Sequence, residues 1–407
     1  MVDGYFVGLL WSFVLGASIL LWPVPFQHKS ALLLVWLAKI VTGLGFMLVF
    51  EIAYEGQIDG VAYYYESITS SFAWENFLFG EGTTNIMNFA ILYQMIFPDS
   101  YHAMKMTVSM VGMIGVYMFF RASILFLEQD DIRILYVLAL YPTVLFWTSL
   151  IAKDSFVLLG VAFYTYGVVG WSKRGQIRYL LWGAFGVWFA SFMRLWYGPI
   201  LVAPLIIFFL NKNSSWMSKI IFAVIVVFSL SILSSLFTER LQIKNTEDLM
   251  KETTNISKSF SQGDSGQQVE TVTSPAKMLA LMPFGIFTAL FRPLPGEILN
   301  PFGLIAGLEN LFLLWLLFSA IKNIQIKDML EPVILWVIAL ILIWASIYGF
   351  VSIGNLGSAV RYRVPILPVL VALVFYLYFK SSYQISKVKF KNSKKLKNKK
   401  VILKFKV

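Results

Sequence analysis

Cysteine is absent from the 407-residue chain, and histidine occurs only as His28 and His102. The first absence excludes a disulfide framework and thiol chemistry; the second leaves too few imidazoles for a histidine-based metal site. Charge is scarce too: Asp, Glu, Lys and Arg make up 14% of residues, against about 25% in a typical soluble domain. From residue 40 to residue 104 there is no Lys or Arg at all. That stretch nevertheless holds seven acids: Glu51, Glu55, Asp59, Glu66, Glu75, Glu81 and Asp99.

Most of what remains is apolar, with 58% hydrophobic residues and a mean hydropathy of +0.73. Long apolar runs separated by short polar hinges point to an all-α, polytopic integral membrane protein, because lipid-facing backbone must satisfy its own hydrogen bonds. About eleven spans are expected, near residues 4–22, 31–50, 103–127, 134–151, 155–171, 179–195, 196–210, 220–237, 301–321, 332–352 and 364–379. Residues 85–97 and 275–291 are apolar but short or proline-flanked, so they are expected to be re-entrant or interfacial. The first apolar segment lacks a basic leader and a small-residue cleavage site, which makes it a retained helix and not a signal peptide. Residues 1–379 then form one transmembrane domain, with outer loops at about 51–102 and 238–300. The second loop is polar and reads as mobile.

Orientation follows from charge. A long loop without cations belongs outside. The net charge of +11 comes from residues 380–407, which hold eleven Lys and no acid; the remaining chain has 22 basic and 22 acidic residues. Such a tail suits the cytoplasmic face of an anionic membrane, at about 1 kcal/mol per Lys. Membrane lipid is the partner this predicts, and nucleic acid is not. The expected topology places the N-terminus outside and the C-terminus in the cytoplasm.

That topology gathers unusual charges on the outer side: Asp59, Lys153, Asp154, Arg194, Arg292, Glu297, Glu309, Arg361 and Arg363. Charges that run against the positive-inside trend are functional candidates. Asp59, followed by Tyr63, Tyr64 and Tyr65, is placed for general-base work on an attacking hydroxyl. Its bland alternative is an N-cap for a helix starting at Gly60. Arg361 and Arg363 suit a phosphate or diphosphate, since guanidinium binds oxyanions in a two-pronged way, with Gly354 and Gly357 letting backbone approach a ligand. Arg292 can serve the same end or pair with Glu297 or Glu309; Lys153 and Asp154 can pair likewise. Arg194 is a further phosphate candidate, and no metal site is expected.

At these residues the chain resembles bacterial membrane enzymes of polysaccharide assembly. Asp59 with its tyrosines, the helix at 85–97 and the LYPTVLFWTSLIAKDSF stretch are similar to GT-C-type glycosyltransferases. FRPLPGE and NLGSAVRYRVPILP look like O-antigen-polymerase-like proteins of exopolysaccharide clusters. The resemblance implies a GT-C-like fold and transfer of sugar from a polyprenyl-(di)phosphate-linked donor to a glycan acceptor, alongside other polysaccharide-assembly proteins. It makes Asp59 the base and Arg194, Arg292, Arg361 and Arg363 the holders of the leaving phosphate, with no cofactor beyond the lipid-linked donor. Asp59-Gly60 departs from the paired acids of many GT-C enzymes. The rival expectation is a flippase for lipid-linked oligosaccharide.

Overall fold

Where apolar runs are bounded by helix-starting residues, the chain folds as its hydropathy predicts. A computed structural model describes residues 4–56, 58–209, 246–261, 265–322 and 324–380, with single positions 220, 231 and 235. The Lys-rich tail beyond Lys380 and most of the expected span at 220–237 lie outside the described residues. Every regular element among the described residues is helical, and two single-residue bridges, Glu81 with Arg194 and Gly266 with Asn355, are the extended pairings seen.

Five helices are long and apolar enough to cross a membrane: Phe26–Ala53, Tyr101–Leu127, Lys153–Arg174, Pro301–Ile321 and Pro332–Gly354. A sixth is added if Leu356–Tyr362 and Leu367–Lys380, bent by 81°, form one span. Their starts are written in the sequence. Ser100 accepts a hydrogen bond from the Ala103 N–H, and Asn300 accepts one from Gly303 with Pro301 opening the helix, which satisfies otherwise orphaned first-turn donors. Four shorter apolar helices, Tyr5–Leu21, Ile177–Met193, Tyr197–Phe209 and Pro275–Phe291, stand where other spans or interfacial segments were expected. By length and composition, then, five or six of the described helices meet the requirements of a span.

Three expectations need correction. The run at 134–151 is not one helix: Ile132–Ala139 stops before Pro142, and Pro142–Trp147 starts anew. Proline lacks the N–H that would continue the ladder and pushes its predecessor, Tyr141, out of the α region. The second loop, expected as a polar connection, contains a helix, Thr246–Phe260, docked on the end of Pro332–Gly354, with the Ser257 hydroxyl donating to the Phe350 carbonyl at 2.7 Å. The short polar hinge expected between the spans at 332–352 and 364–379 contains the helix Leu356–Tyr362.

Tyr101–Leu127 lies at the centre and is buried along most of its length. It is tied to Phe26–Ala53 by a fully buried pair, Lys105 with Glu51 at 2.9 Å, to which the Tyr101 hydroxyl adds a 2.6 Å bond. Against it packs a hairpin, Lys153–Arg174 and Ile177–Met193, reversed at Gly175 with φ 67°. The two hairpin helices approach closely: a Cβ on Gly167 would lie 2.3 Å from the Gly183 nitrogen. Small residues permit that approach in membrane helices. The hairpin has a direct consequence for the site. Its first residues, Lys153 and Asp154, and the residue closing it, Arg194, are brought to the same end.

Candidate functional site

At that end of the hairpin, four charged side chains from four distant segments form one chain of ion pairs. Arg361 donates from Nη2 to Asp59 Oδ2 at 2.7 Å and from Nε to Asp154 Oδ2 at 2.9 Å. Arg194 donates from Nη2 to the other Asp154 oxygen at 2.7 Å. Exposure falls along the chain: the side chains of Asp59 and Arg361 are 49% and 21% exposed, those of Arg194 and Asp154 6% and 0%. The network thus runs from a half-open carboxylate into the protein.

Local structure explains how each group arrives. Asp59 is the first residue of the helix Asp59–Thr69, the capping position is Ile58, and the Asp59 side chain is therefore not that cap. It goes instead to Arg361, so the N-cap alternative does not describe it. Gly60 follows because the Ile151 carbonyl is too close for a side chain; a Cβ would sit 2.8 Å from that oxygen. Lys153 and Asp154 occupy the first turn of their helix, and Lys153 Nζ donates to Thr83 Oγ1 at 2.8 Å. Tyr63 lies one turn after Asp59, buried, with its hydroxyl on Thr83. Burial first, and the Asp59 charge second, push its pKa up to about 12. Tyr63 therefore stays a neutral hydroxyl at ordinary pH. Two aromatic rings complete the surroundings: Arg361 lies over Trp147 and Arg194 over Tyr362, at 5.7 and 4.9 Å from the ring centres.

The remaining candidates lie elsewhere. Arg292 closes on Glu297 at 2.6 Å, and the Leu294 N–H donates to the same carboxylate at 2.6 Å. Burial pushes the Glu297 pKa up, but the Arg292 and Leu294 hydrogen bonds and the Arg292 charge outweigh it, leaving the group below its usual range. Glu309 accepts from both the N–H and the hydroxyl of Thr143. Arg363, two residues after Arg361, points to the other side of the short helix. It is fully buried and donates from Nη1 to the Leu290 carbonyl at 2.7 Å. Arg361 and Arg363 thus face different surroundings. Tyr64 donates to Asp99 at 2.8 Å.

Gly354 and Gly357 are required by the chain itself. A Cβ on Gly354 would meet the Ser257 carbonyl at 2.3 Å, and one on Gly357 the Ser265 hydroxyl at 2.7 Å. The second loop therefore lies against the element carrying Arg361, and its backbone pairs there through Leu356 N–H to the Ser265 carbonyl at 3.1 Å.

Thr83, Trp147 and Tyr362 were not singled out by the sequence. Tyr362 had a signal, standing between the two arginines of the RYR motif; Thr83 and Trp147 had none. Among the described residues no group of three His, Asp or Glu is placed to hold a metal. With Lys153, the cluster has three cations and two carboxylates. Such an arrangement attracts an oxyanion, and one guanidinium nitrogen, Arg194 Nη1, is buried without a hydrogen-bond partner. No protein-family model, curated protein or solved structure matches this chain.

Proposed function

We propose that the protein is a membrane glycosyltransferase or polymerase that extends an extracytoplasmic polysaccharide from polyprenyl-(di)phosphate-linked sugars. The observation that carries this reading is the convergence of Asp59, Arg361, Asp154 and Arg194 at one end of the helices, with Asp59 half open. The pairing fits acid–base work beside a departing phosphate. The acceptor oxygen attacks the anomeric carbon, its proton passes to Asp59, and the bond from that carbon to the phosphate oxygen breaks. Arg361 and Arg194 stabilise the oxyanion that leaves.

Arg361 has a second task in this scheme. While it holds Asp59, it occupies the carboxylate oxygen Oδ2 that would receive the proton. An incoming phosphate that draws the guanidinium away frees that oxygen as the donor seats. Asp154, buried between the two arginines, keeps them apart and aligned. The lack of cations from residue 40 to residue 104 and the Lys-rich tail support a site on the outer face. A GT-C-like arrangement of about eleven spans in a bacterial inner membrane, working with other polysaccharide-assembly proteins, belongs to the same proposal.

The test uses protein in lipid with polyprenyl-diphosphate oligosaccharide, followed by mass spectrometry of glycan length and released lipid. Wild type lengthens the glycan and releases polyprenyl diphosphate, whereas Arg361→Ala does neither. Intact donor with wild type, beside an active control enzyme, overturns the transferase; donor moved intact across the bilayer would make the protein a flippase.

A further inference from the structure

Helix Phe26–Ala53 carries a buried lysine that meets no carboxylate among the described residues. Lys39 is 1% exposed. Its ammonium donates to the Thr148 carbonyl at 3.2 Å, the Thr148 hydroxyl at 2.6 Å and the Ser149 hydroxyl at 3.4 Å. An ammonium has three N–H donors and no acceptor, so these three oxygens match it one for one. A buried ionisable residue in a spanning helix is costly, which makes its partners the place to look for its role.

Those partners belong to residues 148–152, the connection between Pro142–Trp147 and Lys153–Arg174. One face of Phe26–Ala53 receives this connection. Gly43, one turn after Lys39, leaves the helix close enough that a Cβ would lie 3.5 Å from the Ser149 carbonyl. One turn further, Met47 joins Phe50, Leu150 and Ala152 in a small apolar cluster of its own. The helix turns through a π segment, Thr42–Phe46, along this stretch, a local widening frequent at functional sites. The connection therefore lies in a cradle that is apolar at one end and locked by Lys39 at the other.

On its far side the same connection touches the site twice. It runs straight into Lys153 and Asp154. The Ile151 carbonyl also abuts Gly60, beside Asp59. We propose that Lys39 is a positioning residue: by fixing 148–152 it holds Asp59 and Asp154 at the separation that Arg361 bridges. Its importance for sugar transfer rests on the function proposed above, but the geometric claim does not.

The absence of cysteine allows a clean distance test. Glu66→Cys and Leu181→Cys, both exposed positions, carry spin labels on Asp59–Thr69 and on the hairpin, in full-length protein in lipid nanodiscs. A control pair joins Leu181→Cys to Ile326→Cys, also exposed. Lys39→Met removes the ammonium and is expected to broaden or shift the Glu66–Leu181 distance while the control distance holds; Lys39→Arg is expected to keep the wild-type distribution. Thr148→Val, which deletes one acceptor only, is expected to give a smaller change of the same kind and carries the test if Lys39→Met does not fold. An unchanged distance in the variant that folds, or equal broadening of both pairs, overturns the proposal. Wild-type protein inactive in the transfer assay would remove the proposed function and leave this distance result standing.

Discussion

Asp154 and Asp59 share Arg361, yet they bear different loads. Asp154 is fully buried and faces two guanidinium groups, whereas Asp59 is half exposed and faces one. Removing one partner from a buried ion pair leaves uncompensated charge and costs about 3–5 kcal/mol; an exposed pair is worth about 0–1 kcal/mol. Thermal unfolding in detergent should therefore show a large loss for Asp154→Asn and little change for Asp59→Asn. The reverse order would remove Asp154 from the centre of the network. These residues were singled out in the sequence as charges expected to run against the positive-inside trend. Their pairing was not, because Asp59 and Arg361 lie 302 positions apart and nothing local encodes who meets whom. Arg361 and Arg363 show the same limit. Read as neighbours they suit one phosphate, but alternate positions on a helix face different ways.

At the scale of elements, close approach sets the site as firmly as charge does. Gly60 lets the start of Asp59–Thr69 rest on the Ile151 carbonyl, an oxygen of the backbone that cannot rotate aside. Gly60→Ala should cost about 1–3 kcal/mol, the usual range for overpacking, and should reduce transfer by displacing Asp59 from Arg361. Wild-type stability together with wild-type transfer would show that the contact is slack. The Arg292–Glu297 clasp gives a pH prediction. Its carboxylate has a lowered pKa in the folded protein, so the clasp is complete above the ordinary glutamate value, about 4.3. It is lost as pH falls through the lower folded value. Protection of the Leu294 N–H against hydrogen exchange, measured relative to the intrinsic rate at each pH, should fall in that acid window and stay high at neutral pH, because the Glu297 carboxylate accepts from it; a flat protection profile would contradict it.

Helix starts were readable at Ser100, Asn300–Pro301 and Pro332, where a cap or a proline marks them. Hydropathy alone misread 134–151, since apolarity does not register the N–H missing at Pro142. It also misread Thr246–Phe260. The buried face of that helix includes Thr253, Thr254 and Ser257, small polar residues at helical spacing, and a polar sequence with such a face looks mobile until its docking surface is known.

For the molecule as a whole, apolar composition established a helical, membrane-type architecture, and five or six described helices meet the requirements of a span. Breaks at Pro142 and the bend near Arg363 divide two of the expected apolar runs into shorter helices. Those breaks have a structural role: the connection at 148–152 and the helix Leu356–Tyr362 both exist because the chain interrupts its spans, and between them they present Asp154 and Arg361. The central claim is that Asp59, at the open end of this network, takes the acceptor proton during sugar transfer. The most direct measurement is single-turnover release of polyprenyl diphosphate by wild type and Asp59→Asn, each reconstituted in lipid and shown to have the same unfolding temperature. The account predicts rapid release by wild type and a loss of roughly 100-fold or more in Asp59→Asn, in keeping with the usual contribution of a general base. Equal release rates from two equally stable proteins would contradict it.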